Sequence, residues 1–493
     1  MSLILGIDLS TQSCTTEVRD AETFAVVGRS RTPLPATTPP VSEHDPLDWW
    51  SSVVRTCSIL RSEGVDLGAV RSMSVSGQCH ALVALNADGQ PIRPAKLWND
   101  TTTAPQVKWL LSEVPTEEWV RRVGSVPTPA FTVAKLAWLL ENEPRTIGAT
   151  EQILLPHDYI TFRLTGQFVT DRSEASGTGY FDSVDNRYDT ELLHRLFGNV
   201  LDWDRVLPRV GEPDSIAGRV TEDAAMQLGV PAGTLVAVGG GDQHVAPLGL
   251  GTAPGDVVFS LGTSGTVSTL SEAPVIDVAG DIDCVANAVG GWLPLACTLN
   301  STKVTDWAAN LLGVDVQELD RLALAAPQSD GLAVFVPYLD GERTPSVPDA
   351  TGVLAGITSG MGREEFAASA FYGVLAGLLY GFDALDRIGV LTDGRIIAVG
   401  GGARSEAYTQ FLANLLARDV WTIGEPEATV RGACVQALAA LRNQSPMELA
   451  IALRPQAVLA ASPESTDALW PKLRPRYAEV STFAANMQRP RSE

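Results

Sequence analysis

Two aspartates stand where apolar runs end, each beside residues that expose backbone or hydroxyl groups. Asp242 follows Gly239-Gly240-Gly241 in TLVAVGGGDQHVAPLGLG, and Asp8 opens Asp8-Leu-Ser-Thr-Gln-Ser13. Glycine has no Cβ, so a strand ending in glycines can bring its N–H groups against an anion. Leu261-Gly-Thr-Ser-Gly265 and Gly400-Gly-Gly-Ala-Arg-Ser405 have the same form. A lone glycine run is more often a plain turn. Four of them, two with hydroxyl side chains, favour phosphate binding. Two carboxylates beside phosphates suit phosphoryl transfer: one anchors Mg²⁺, directly or through water, and the other takes a proton from the attacking hydroxyl. An Asp at a strand end can equally cap a turn or helix, and the residues alone leave both readings open.

Other chemistry finds less support. No Lys follows a Gly, so there is no P-loop, and Gly249 to Gly255 is one residue too long for a dinucleotide fingerprint. No GxSxG elbow points to a hydrolase. His80, in GQCHA, reads as a polar wall of a substrate pocket, because no ligands pair with it at metal spacing. His244 is either a helix-start residue or a functional one. Trp98-Asn99-Asp100 sets an aromatic face beside an amide and a carboxylate, which suits a polyol; a buried Trp before a turn explains it as well. The cysteines at 14, 57, 79, 284, 297 and 434 form no CxxC pair, giving neither a zinc template nor a disulfide framework, and read as free thiols in a reducing cytoplasm.

The elements that must position these residues alternate in style along the chain. Its 493 residues are too many for one core, so two domains are expected. LILGIDLS, CTTEVRD and FAVVGRSRT read as three strands, followed by a helix from Asp48 to Arg61 with apolar residues on one face. SMSVSGQCH is strand-like, and ALVALNADGQPI reads as two strands about an Asp-Gly turn. The second half repeats the pattern: two strands about LGTSG, then RIIAVGGGARS leading into a helix with Tyr408, Phe411, Leu412 and Leu415 on one face. The stretch after about Asn443 reads as helical. Phe366 to Phe382 is nearly all apolar yet shorter than the ~20 residues of a membrane span, and reads as a buried helix. The net charge of −22 argues against nucleic acid or an anionic membrane as partner. MSLILGIDLS lacks the marks of a signal peptide.

The ordered series GIDLSTQS, SEHDPLDWW, SGQCHALVAL, RPAKLWND, LPHDYITFRLTGQFVTDRSEASGTGYFD, GGGDQHVAPLG, SLGTSG, PYLDGERTP and GGGARS resembles the FGGY carbohydrate kinases, from the first strand to about Arg442. The resemblance implies an α/β fold of two actin-like (ribonuclease-H-like) domains flanking a central cleft. Residues 1–251 would hold the sugar and the base, 252–442 the nucleotide, and 443–493 a helical tail packed on the body. It implies transfer of the ATP γ-phosphoryl group, with Mg²⁺, to a sugar hydroxyl in the cytoplasm, and it suggests a homodimer. D-xylulose is the expected acceptor; another pentulose, a pentitol or glycerol is the nearest alternative, and a non-catalytic actin-like ATPase or sugar sensor is the alternative of another class. By the same resemblance Asp242 is the catalytic base and Asp8 the carboxylate at the metal. Thr11, Gln12 and Ser13 form one phosphate loop, Gly262 and Thr263 the second, and Gly401, Gly402 and Ala403 the loop beside adenosine. Cys79, His80, Asn99, Asp100, Asp242 and Gln243 face the sugar. Three departures stand out: Ser10 replaces a common Gly, Thr15 replaces a Lys and so takes a cation from the phosphate loop, and Cys79 and Ala81 replace the Met and Gly that flank the pocket His.

Overall fold

The three apolar runs at the N-terminus form the antiparallel strands β1 (Leu3–Leu9), β2 (Ser13–Asp20) and β3 (Val26–Pro33). Every position of β1 and β2 is buried, so both faces of the sheet are covered here. The computed structural model describes residues 2–327, 331–425 and 427–487. Helix α1 (Pro46–Ser62) starts two residues before the expected Asp48, because the Asp45 side chain caps the Leu47 N–H and Pro46 fits the first turn. It leads into β4 (Val70–Gly77), parallel to β1. After a long helical insertion, β5 (Ile216–Arg219), β6 (Leu235–Ala237) and β7 (Gly240–Gly241) complete a sheet of order β5-β6-β4-β1-β2-β3, with β7 also on β4.

The second half builds a matching sheet from β8 (Val257–Leu261), β9 (Gly265–Thr269), β10 (Asp283–Ala286), β11 (Trp292–Thr298), β12 (Ile396–Val399), β13 (Val420–Ile423) and β14 (Ala457–Ala461). Their order is β10-β11-β9-β8-β12-β13-β14. Each sheet has a first strand antiparallel to the second and parallel to the strand after a long helix: β1 with β2 and β4, β8 with β9 and β12. The expected pair of α/β units is therefore present.

Helices α2 (Asp242–Leu250) and α5 (Ala428–Arg442) run between the sheets, while α3 (Arg363–Arg387) and α4 (Glu406–Leu416) belong to the second unit. The α2–α5 crossing is close because glycines meet backbone. A Cβ on Gly249 would overlap the Ala428 carbonyl, and one on Gly432 the Val245 carbonyl. Ile4, Phe24, Val245, Leu248, Ala433 and Leu438 share one apolar cluster across this seam. Glu425 adds contacts to Arg19, Arg29 and Arg431.

The buried helix expected at Phe366 is present, and two other expectations need correction. The apolar segment at Phe366 lies in a 25-residue helix, longer than the apolar run because charged first and last turns extend it. By length and composition α3 passes as a membrane span, yet 78% of its most apolar window is buried inside the protein, which marks a core helix. The Asp-Gly hairpin forms only its first strand: Val83–Leu85 pairs with Gln152–Leu154, and the other arm gives a single bridge at Pro91, which has no N–H for a ladder. The tail is not all helix, because β14 joins the second sheet beside β13 between helices Pro446–Ala452 and Trp470–Asn486. Trp470, buried, donates to Asp383 at 2.9 Å and fixes the last helix to α3. Residues 488–493 of that expected tail lie outside the described residues.

Candidate active site

A cavity of about 460 Å³ opens between the two units and takes walls from both. The triple glycine sets Asp242 on this wall. Gly239 has φ +83°, and a Cβ there would overlap the Val75 carbonyl, so only glycine lets β7 lie against β4. The chain then enters α2 with Asp242 as its first residue, where the positive end of the helix favours an anion. Asp242 Oδ1 accepts from the Gln243 N–H at 2.7 Å and from the Cys79 thiol at 3.3 Å. Burial raises its pKa, and these two hydrogen bonds oppose the rise.

Beside it, the turn after β4 carries Cys79 and His80. His80 sits at φ +67°, unusual outside glycine, and is held there from three sides. Its N–H donates to Glu174 Oε1 at 2.5 Å, its carbonyl accepts from Thr132 Oγ1 at 3.1 Å, and its ring leans on Phe131 at 5.4 Å between centroids. Gly177 has to be glycine, since a Cβ would run into the imidazole. Burial, then the nearby Lys135, hold the His80 pKa well below its ordinary value, so the ring meets the cavity neutral. Asn99 is on the same wall, with its Oδ1 buried and free of hydrogen-bond partners, ready for a ligand hydroxyl. Trp98 lies alongside and donates to Thr11 Oγ1 at 2.8 Å.

The residues expected at the phosphates begin at the end of β1. Asp8, Thr15 and Arg31 are register partners across β1, β2 and β3 and so share one face of the sheet. Arg31 reaches the cavity and donates to Ser13 Oγ at 2.9 Å, standing one strand over from the expected lysine position. Thr11 and Gln12 line the cavity; Ser13 is buried behind them, bonded to Ser10. Asp8 is buried with Oδ1 unpaired. Its pKa is well above the ordinary value, first through burial, then through Asp242 and Glu427, with Arg31 pulling the other way. A buried carboxylate oxygen short of positive charge fits a divalent cation.

On the second unit, Gly262 and Thr263 form the β8–β9 turn, tied down by Thr302 N–H to the Gly262 carbonyl at 2.9 Å and Ser301 N–H to the Thr263 carbonyl at 3.2 Å. Gly400, at φ +88°, and Gly402 pack on Leu261, so the two glycine loops lie side by side, and a Cβ on Gly401 would meet open space. These loops adjoin the cavity through Ser264 and Gly265 without lining it at Gly262, Thr263 or 401–403.

Asp100 departs from expectation. It is fully buried and off the cavity wall, accepting from Ser42 N at 2.9 Å, Lys96 Nζ at 3.1 Å and Thr102 N at 3.0 Å. A short side chain committed to those donors braces the Trp98–Asn99 turn and stands behind the cavity wall. Four residues escaped the sequence reading. Arg31 and Arg343 line the cavity, the latter paired with Asp283 at 2.5 Å. Glu174 holds His80, and Lys135 donates to the carbonyls of Pro129, Ala130 and Phe131, with a pKa that burial lowers to about 7. Glu174 and Arg343 lie in the motifs RSEASG and DGER, the one signal that marked them.

Comparison with known proteins decides the family. Residues 3–249 match the N-terminal domain, and residues 257–441 the C-terminal domain, of the FGGY family of carbohydrate kinases. The chain belongs to the FGGY carbohydrate kinases. It is a phosphotransferase with an alcohol group as acceptor. It is similar to the xylulose kinase of Streptomyces rubiginosus, 40% identical over 449 residues that span 91% of this chain and 90% of that one. Among solved structures, a xylulose kinase from Bifidobacterium adolescentis superposes with a TM-score of 0.86 at 34% identity, covering 97% of this chain and 99% of the other. A gluconate kinase from Lactobacillus acidophilus superposes with a TM-score of 0.91 at 25% identity, covering 99% of each. In this FGGY kinase the two matched domains meet at the α2–α5 crossing, so the cavity lies between them.

Proposed function

We propose that this kinase transfers the γ-phosphoryl group of ATP to a hydroxyl of D-xylulose, giving D-xylulose 5-phosphate, with Asp242 as general base. The observation that carries the reading is the placement of Asp242 on one cavity wall with His80 and Asn99, while the hydroxyls of Ser10 and Thr11 and the turn at Ser264–Gly265 share the same cavity. Neutral His80 and the free Asn99 Oδ1 offer hydrogen bonds to sugar hydroxyls, and Trp98 offers an apolar face to C–H groups. Asp242 orients the attacking oxygen and accepts its proton as the new P–O bond forms. Arg31 and the hydroxyls of the first phosphate loop (Thr11, Gln12, Ser13) balance charge on the phosphates. Gly262 and Thr263 meet the triphosphate, and Gly401, Gly402 and Ala403 border the adenosine. Mg²⁺, when bound, would neutralise phosphate charge, and the buried, unpaired Asp8 is the group that would hold it.

The relatives named xylulose kinases support D-xylulose as acceptor. The domain division follows the same reading: residues 1–251 for sugar and base, 252–442 for nucleotide, and the remainder braced on the second sheet. All six cysteines are free, which supports a reducing, cytoplasmic setting. ADP release measured against D-xylulose, L-xylulose, ribulose, pentitols, glycerol and gluconate, with the product identified by mass, tests the assignment. D-xylulose should show the highest kcat/KM. A higher value for another acceptor would replace the substrate, and ADP formed without sugar phosphate would favour a sensor or ATPase.

A further inference from the structure

The cavity wall beside Asp242 holds a second, unassigned constellation. Cys79, Glu174 and His244 are all buried, and one ligand atom from each lies within 4.8 Å of the other two. They come from the turn after β4, the helix Arg172–Ser176 and the first turn of α2, so sequence spacing hides them as a group. Their tips converge on the space where Gly241 lacks a side chain. A Cβ there would overlap Glu174 Oε2 and lie 2.8 Å from Cys79 Sγ and 2.9 Å from the His244 ring.

We infer that Cys79, Glu174 and His244 form a binding site for one soft or borderline divalent cation, with Zn²⁺ the best match. Thiolate, imidazole and carboxylate are the donor types Zn²⁺ takes, and three protein ligands leave a fourth position for water or another donor. Mg²⁺ prefers oxygen ligands and keeps its waters, which separates this site from the nucleotide's metal at Asp8. The charges balance, since one thiolate, one carboxylate and a neutral imidazole offset two positive charges. Glu174 supplies the second observation. It is fully buried, its Oε2 takes no N–H or O–H hydrogen bond and has only the Cys79 thiol beside it, and the neutral His80 ring stands 3.8 Å from its Oε1, so no positive charge balances it. Ionising it there is costly, so burial holds its pKa well above the ordinary value, and a cation in place of the proton would resolve that cost. Its Oε1 already accepts from the His80 N–H, which fixes the orientation of Oε2 toward Cys79 and His244.

Binding replaces the Cys79 S–H bond with an S–metal bond and the Glu174 carboxyl proton with an O–metal bond, and both protons go to buffer. Asp242 then loses its thiol donor and faces a metal centre held by His244, two residues along its own helix. On the reading of Asp242 as the base, Zn²⁺ therefore inhibits phosphoryl transfer.

The full-length protein, reduced and stripped with EDTA, is titrated with Co²⁺ and then with Zn²⁺. One equivalent of Co²⁺ should give a near-ultraviolet thiolate-to-cobalt band that Zn²⁺ abolishes stoichiometrically. Cys79→Met and His244→Ala should each remove the band; the second only deletes atoms and covers the case in which Met disturbs the fold. Glu174→Gln should weaken binding by more than the ~10–100-fold that loss of an outer partner costs. Cys297→Ser, the other cavity thiol, should keep the band. Absence of the band, or its survival in both Cys79→Met and His244→Ala, overturns the site. Zn²⁺ inhibition at fixed Mg-ATP is measured in parallel. Band formation without inhibition leaves the metal site standing and counts against Asp242 as the base.

Discussion

Replacing Asp242 by Asn isolates the proposed proton transfer, because little else about the corner has to change. The side chains have the same shape. The amide oxygen can still accept from the Gln243 N–H and the Cys79 thiol, now at 2.7 and 3.3 Å from Oδ1. The glycines that lay β7 against β4 are untouched. Removing the charge also relieves Asp8, whose raised pKa owes its second-largest part to Asp242, so the phosphate side should not suffer. What disappears is the acceptor for the sugar proton. General-base losses run from ~100- to ~10,000-fold, or about 3–5 kcal/mol of barrier. Coupled ADP release should therefore show kcat down by that factor, while D-xylulose binding, followed by quenching of the cavity-facing Trp98 or by calorimetry, stays within a few-fold of wild type. Near wild-type kcat would refute the role. So would a variant that loses sugar affinity and turnover together, since that would make Asp242 a binding group and not a base.

The remaining predictions concern charge. Burial raises Asp242 above its ordinary 3.8, and a base works only when deprotonated, so kcat/KM should fall as pH drops through a value above 3.8. Asp8 interacts with Asp242, so this acid limb belongs to the pair; a limb at or below the ordinary carboxylate value would contradict it. Arg31→Ala should raise KM for ATP about tenfold, the worth of one charge-assisted hydrogen bond, with Arg31→Lys recovering part. An unchanged ATP KM in the alanine variant would show that Arg31 does not fill in for the missing lysine.

The parts of the site that were legible in the sequence were those written locally. β1 and β2 are continuous buried runs, and glycine before Asp242 has a backbone meaning that one segment can carry. Asp100 misled because its neighbours face the cavity while its own oxygens are consumed by Ser42, Lys96 and Thr102, and only folded geometry separates the two. Glu174 and Arg31 were missed for the opposite reason. Glu174 acts through His80, distant in sequence, and Arg31 reaches the site only because strand pairing sets it beside Thr15. β14 was read as helix because a five-residue, mostly exposed edge strand has too little pattern to announce itself.

Asp242 belongs to the first domain, yet the corner that aims it is fastened by the second. Gln436, on α5, donates from Nε2 to the Gly239 carbonyl at 3.0 Å and accepts from Ser74 Oγ at 3.0 Å, both in the buried interior. His80 and Asn99, proposed to meet the sugar, depend on other contacts, through Glu174, Thr132 and the Asp100 brace. Gln436→Leu would leave the Gly239 carbonyl and the Ser74 hydroxyl unpaired, costing about 1–3 kcal/mol each in stability. It would also release the glycine from which Asp242 takes its direction. Because reacting atoms must be held close to their productive geometry, the expected outcome is a fall in kcat with D-xylulose KM nearly constant. A lowered Tm with unchanged kcat would mean that Gln436 only stabilises the seam, and that the base is positioned by α2 and β4 alone.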